Sequence, residues 1–102
     1  MRVVAFVSEL MDRSRISAVV DGIEFVTAVD DVRDADVVVV DLARFADTVA
    51  AVRAAAPAAR VVAYGAHVDE ALLERARQDG ADQVLPRSQF FRDPAAHLAP
   101  TT

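Results

Sequence analysis

Four valines in a row, Val37-Val38-Val39-Val40, closed by Asp36 and Asp41, constrain this chain more than any other feature. A β-branched run without polar alternation has no solvent-facing side, so it reads as a strand covered on both faces, the central strand of a parallel sheet. Such a sheet needs crossover segments between its strands and covering elements above and below them. In open sheets of this kind, ligands and chemistry collect outside the carboxyl ends of the strands. Asp41 stands at such an end, with Leu42-Ala43-Arg44 leading into a helix.

The remaining elements follow from the same reasoning. Val3 to Val7 is a second continuous apolar run, and Ser8-Glu9 falls at its carboxyl end, beside the place expected for Asp41. With Asp12 as N-cap, the segment through Asp21 carries Ile16, Val19 and Val20 at i, i+3 and i+4. This is an amphipathic helix with its arginines outward, stopped by Gly22. Ile23 to Ala28 partly alternates, as an edge strand does. Only 7 residues, Val29 to Ala35, separate it from the valine strand. A parallel crossover takes about a dozen residues or more, so the helix of this crossover is read as deleted and replaced by a turn. Beyond Asp41, the residues Phe45, Val49, Val52 and Ala55/Ala56 form the clearest helical stripe, ended by Pro57. Arg60 to Gly65 is a third buried strand. Asp69 then N-caps a helix carrying Leu72, Leu73 and Ala76, with Gly80 as its C′ residue. Gln83 to Pro86 is a short last strand, and the tail from Arg87 leaves room for about one turn of helix around Ala95 to Leu98. The pattern predicts one α/β domain over residues 1–102, a doubly wound five-stranded parallel sheet of flavodoxin-like order 2-1-3-4-5. Ser8, Glu9 and Asp41 line the cleft at the switch between the first and third strands.

Composition narrows the function classes. A chain of 102 residues supplies one core. Its 16 acidic residues exceed its 11 basic ones, for a formal charge of −5, and no basic patch is visible in the sequence, so a nucleic-acid partner is not expected. Every basic residue is an arginine, which rules out a catalytic lysine. The lack of cysteine excludes disulfides, thiolate metal sites and thiol redox chemistry, and suits a cytoplasmic location. The opening apolar run is too short for a membrane span or a signal segment and is broken by Ser8-Glu9. His67 and His97 lack partners at metal-ligand spacing and are read as solvated. Tyr64 is read as core, and Phe90-Phe91 as core or interface.

Three stretches carry a resemblance. Asp36-Val37-Val38-Val39-Val40-Asp41-Leu42 resembles the receiver strand that ends in a phospho-accepting aspartate. Val52 to Val62 and Gly80-Ala81-Asp82-Gln83-Val84-Leu85-Pro86-Arg87-Ser88 resemble the nitrate-response class, where the last stretch typically reads Gly-Ala-Asp-x-x-Leu-Pro-Lys-Ser. Over nearly its whole length the chain is thus similar to the receiver domain of bacterial two-component response regulators, with the second helix missing and the fifth truncated. The resemblance implies Asp41 as phospho-acceptor. It also implies an acidic pair after the first strand that joins Asp41 in holding a divalent cation such as magnesium. Here the pair is Ser8-Glu9, one carboxylate short, which leaves Glu9 and Asp41 as the metal candidates. The family's hydroxyl at the end of the fourth strand corresponds to Gly65, which has no side chain to offer a phosphoryl oxygen. The family's lysine corresponds to Arg87, which keeps the charge with a different geometry and is expected to pair with Asp41.

Each site residue also has a plainer reading. Asp41 can end a strand and cap the next helix, Glu9 can be a loop acid, and Gly65 can mark a close backbone approach. The departures favour a stand-alone degenerate receiver, or pseudo-receiver: not an enzyme, not phosphorylated, needing no cofactor, and acting in signalling or regulation through a protein partner such as a kinase or regulator. The alternative is a single-domain response regulator that accepts a phosphoryl group on Asp41 beside magnesium. A small-ligand binder in the same cleft is a third reading, against which stands the absence of a Gly-rich phosphate loop. With two helices missing or short, apolar sheet surface is expected to stay open near Ile23 to Ala28 and beneath the tail, which predicts a homodimer through the carboxyl-terminal segment.

Overall fold

The valine run forms the centre of the sheet. In the computed structural model, which describes residues 1–98, β3 (Val37–Asp41) lies between β1 (Val3–Phe6) and β4 (Arg60–Gly65). The edges are β2 (Glu24–Phe25) and β5 (Gln83–Pro86), every neighbouring pair is parallel, and the order is β2-β1-β3-β4-β5. Val3 to Phe6 pair with Val37 to Val40, and Val37 to Asp41 pair with Arg60 to Tyr64. Because successive side chains leave a strand on opposite faces, this register builds two cores. Val4, Phe6, Val38, Val40, Val61 and Ala63 pack on one side against Val32, Val49, Val52 and Leu73. Val3, Ala5, Val7, Val37, Val39, Val62 and Tyr64 pack on the other against Ile16, Phe90, Phe91 and Leu98. The four valines are at most 3% exposed, each buried side chain contributing about 1.5–3 kcal/mol.

The deleted crossover helix is replaced by a single 3₁₀ turn, Val29–Val32, whose Val32 reaches the core and is fully buried. Asp34 then takes a left-handed conformation (φ 65°) that reverses the chain before β3. Arg2 fastens the turn from beneath: its guanidinium donates to the carbonyl of Asp31 at 2.8 Å, to the carbonyl of Arg33, and to Glu24 at 2.7 Å.

Helix boundaries depart from the sequence reading at three places. Helix α1 spans Leu10–Ser17, so its N-cap is Glu9 and Asp12 lies inside it. The stripe from Phe45 to Ala56 divides into α2 (Leu42–Phe45), a 3₁₀ turn (Ala46–Thr48) and α3 (Val49–Ala55). The tail holds two short helices where about one turn was expected, α5 (Arg87–Arg92) and α6 (Pro94–Leu98), with Pro94 at the first position of α6, where its missing N–H costs nothing. Helix α4 (Glu70–Gln78) follows β4 and ends as expected. Gly80 at φ 110° lets its own N–H reach the Arg77 carbonyl and that of Ala81 reach the Ala76 carbonyl.

These tail helices also correct the expectation of open sheet surface beneath the tail. Phe90, Phe91 and Leu98 are at most 8% exposed and close the second core of their own chain, so the sheet beneath the tail is covered from within. No helix among the described residues is long and apolar enough to cross a membrane.

Candidate functional site

The sheet order places the switch point between β1 and β3, so the segments leaving those strands define the cleft. Both carboxylates of this cleft serve as helix caps, which for Asp41 is the plainer of its two readings. Glu9 is exposed, and its carboxylate turns back to accept from the Met11 N–H at 3.2 Å and from the Asp12 N–H at 3.5 Å, capping α1. Ser8, also exposed, carries no carboxylate. Asp41 is 4% exposed and its Oδ1 accepts from the Ala43 N–H at 3.1 Å, capping α2. Burial pushes the Asp41 carboxyl above the usual carboxylate range, and nearby Asp12 adds to this. The Ala43 hydrogen bond and Arg87 oppose it.

The fourth-strand position is closed as well as empty. A Cβ on Gly65 would stand 3.3 Å from Leu73 Cδ2 and 3.4 Å from Leu42 Cβ. The backbone therefore packs tightly against two leucines where a hydroxyl side chain was the family expectation.

Arg87 does not pair with Asp41. Its guanidinium forms a two-pronged contact with Asp12, one nitrogen reaching Oδ2 at 2.5 Å and the other reaching Oδ1. Asp12 is fully buried, and its Oδ2 also accepts from the Tyr64 hydroxyl at 3.0 Å. Burial alone would raise the Asp12 carboxyl, but the hydrogen bonds from Arg87 and Tyr64 outweigh it and hold the group below the usual range. The same contact raises Arg87, while burial and the two nearby carboxylates raise Tyr64. Aromatic packing fixes the arrangement: the Tyr64 ring stacks on Phe90 at 4.7 Å, and Phe91 meets it edge-on at 5.1 Å.

Sequence reasoning missed Asp12 because aspartate is a common N-cap. Two signals pointed to it. Asp12 and Ile16 share one helix face at i, i+4, and a tyrosine inside a valine-rich strand needs a partner for its hydroxyl. His67 is exposed, as expected. His97 is not: it is half-buried, its ring stacked on Phe90 at 5.9 Å.

The donor set does not suit a divalent cation. Such an ion wants several free oxygen ligands, whereas Glu9 spends both carboxylate oxygens and Asp41 one on helix caps and Asp12 is taken by Arg87. Among the described residues no three His, Cys, Asp or Glu side chains gather to hold a metal.

The sequence matches no protein-family model and no curated protein. The fold is nevertheless shared with solved structures. A CheY-like protein (TadZ) from Pseudomonas aeruginosa PAO1 superposes with a TM-score of 0.77 at 17% identity, covering 96% of each chain. A response regulator from Hahella chejuensis gives 0.79 at 20% identity, over 94% of this chain and 90% of its own. A response regulator protein from Burkholderia pseudomallei, solved with a phosphorylated aspartic acid, calcium ion and citrate, gives 0.71 at 15% identity, over 96% of this chain and 72% of its own. This chain has the CheY-like receiver fold.

Proposed function

We propose that this chain is a pseudo-receiver that acts in signalling or regulation by contact with a protein partner and does not carry a phosphoryl group on Asp41. One observation carries the reading: the cation that follows the fifth strand, Arg87, gives both prongs of its guanidinium to the buried Asp12. Phosphoryl transfer to a carboxylate is catalysed almost entirely by positioned positive charge. Ser8 stands in the acidic pair, Glu9 and Asp41 serve as helix caps, and Gly65 is walled in by leucines, while Arg87 and Arg44 act on Asp41 only through space. The cleft mouth is instead apolar in part. Leu10 and Met11 follow Glu9 and are 77% and 68% exposed, and Val68, in the loop after β4, is 77% exposed. Exposed large apolar side chains gathered at one end of a molecule suit a protein contact.

The test is direct. The protein is incubated with acetyl phosphate or phosphoramidate and magnesium, and its intact mass is measured. No phosphoryl adduct is expected. An adduct that Asp41→Asn abolishes would establish the alternative, a phospho-accepting response regulator.

A further inference from the structure

Beside the Asp12–Arg87 contact, on the α1/α5 side of the sheet, lies an open cleft of about 460 Å³ lined by Arg15, Arg87, Ser88, Phe91 and Arg92. Three guanidiniums thus converge in a chain with a net charge of −5, a grouping invisible in the sequence because it joins positions 15, 87 and 92. The charge is only partly offset, by Asp12, which pairs with Arg87 and also feels Arg15. Asp12 is spent on Arg87, and the adjacent Asp93 turns its carboxylate toward the Ala96 N–H at 3.4 Å. Arg15 and Arg92 have no carboxylate partner among the described residues, although Arg2, Arg33, Arg53, Arg75 and Arg77 each have one. Two of the three cations are also held in place. Arg15 lies over the Phe91 ring at 4.6 Å and Arg87 over the same ring at 4.7 Å. Guanidinium planes fixed in this way form the fork that pairs with phosphate oxygens, and fixing them beforehand lowers the entropic cost of binding.

We propose that this cleft binds a small phosphate-bearing anion, with Arg15, Arg92 and the Ser88 hydroxyl meeting the oxygens and Arg87 adding its charge from behind. The site is separate from the Asp41 cleft and does not depend on the pseudo-receiver reading. The phosphate is either inorganic or the head of an organic ester. Phe91 is already engaged by two arginines, so recognition rests on the phosphate.

The test is isothermal titration of the full chain at fixed ionic strength with inorganic phosphate, pyrophosphate and phenyl phosphate, each to about 10 mM, with sodium chloride as the control. Saturable binding of at least one phosphate probe is expected, tighter for phenyl phosphate if the natural ligand is an ester and for pyrophosphate if it is inorganic. Arg15→Gln and Arg92→Gln should each weaken it about five- to tenfold, the loss of one charged hydrogen bond at an exposed site. Arg44→Gln, an exposed arginine outside the cleft, should leave it unchanged. Arg87→Gln is avoided, since it would strand the buried Asp12. Circular dichroism checks that the variants fold. Absence of saturable binding, equal binding in the Arg15 and Arg92 variants, or an equal response to chloride would overturn the proposal.

Discussion

Asp12→Ala should be among the most damaging single changes to a polar residue of this molecule, and its cost can be built from the contacts. The Tyr64 hydroxyl is buried and donates to Asp12 Oδ2 at 3.0 Å. Left without an acceptor it costs about 1–3 kcal/mol. The two bonds from Arg87 would be worth about 1.5–3 kcal/mol each if buried. The Arg87 side chain is 44% exposed, however, so water recovers much of its share and the pair counts at the low end. Removing the carboxylate also removes its own desolvation cost. The sum is about 2–3 kcal/mol, or roughly 8–12 °C in the midpoint for a domain of this size. Tyr64→Phe removes the donor instead of stranding it and should cost only about 1 kcal/mol. The double variant should then cost about 1 kcal/mol less than the two singles added together. Acid titration gives a second readout. Because the folded Asp12 carboxyl lies below its unfolded value of 3.8, its stabilisation is complete above that pH and is lost as pH falls through the folded value. Asp12→Asn should therefore flatten the acid limb of the stability profile. A urea-denaturation cost for Asp12→Ala within about 0.5 kcal/mol of zero, or strictly additive singles, would refute the reasoning.

Three further outcomes are expected. Asp41→Asn should raise the thermal midpoint at pH 7, since burial disfavours the charged carboxylate and asparagine caps a helix equally well. The sign is opposite to that of Asp12: the folded Asp41 binds its proton more readily than the unfolded one, so the difference between wild type and variant should shrink as the pH falls through the raised folded value, and a lower midpoint at pH 7 would contradict the burial argument. Gly80→Ala should cost about 2 kcal/mol or more, because φ is 110° and the new Cβ would stand 2.9 Å from Arg53 Cγ. Gly22→Ala, at φ 74° with nothing within 4 Å, should cost only about 1 kcal/mol, and equal costs in urea denaturation would show that the Arg53 contact yields freely. Magnesium at about 5 mM should leave the midpoint unmoved, since only binding to the native state raises it, whereas a rise removed by Glu9→Gln would show that the capping carboxylate still coordinates.

The fold was legible because its strongest signals are local and repeated. Valine runs with no polar side dictate a covered parallel sheet wherever they occur, and the short Val29 to Ala35 link left no room for a crossover helix. The tail was less legible. Phe90 and Phe91 are adjacent and so show no helical period, and only stacking on Tyr64 and burial of Leu98 place α5 and α6. The site was legible in position and not in wiring. Ser8, Glu9, Asp41, Gly65 and Arg87 stand where the strand ends put them, but which carboxylate an arginine holds depends on side-chain reach across elements, here between positions 12 and 87, and no sequence period encodes that.

The wiring follows from a competition in which one cation stands near two buried acids. Arg87 feels both Asp12 and Asp41. Asp12 is wholly buried on α1, and among the described residues its only other side-chain donor is the Tyr64 hydroxyl. An isolated charge there would be several kcal/mol out of balance. Asp41 lies at the rim, accepts a backbone N–H as a helix cap, and can ease its own burial by taking up a proton. The deeper and less provisioned charge therefore claims the guanidinium. The fork of an arginine makes the claim stronger than a lysine could, since both Asp12 oxygens are bridged at once. Once Asp12 occupies the buried face of α1, a change at Arg87 that restored a contact to Asp41 would leave Asp12 and Tyr64 unsatisfied together. The residues at 12, 64 and 87 thus depend on one another through one buried carboxylate.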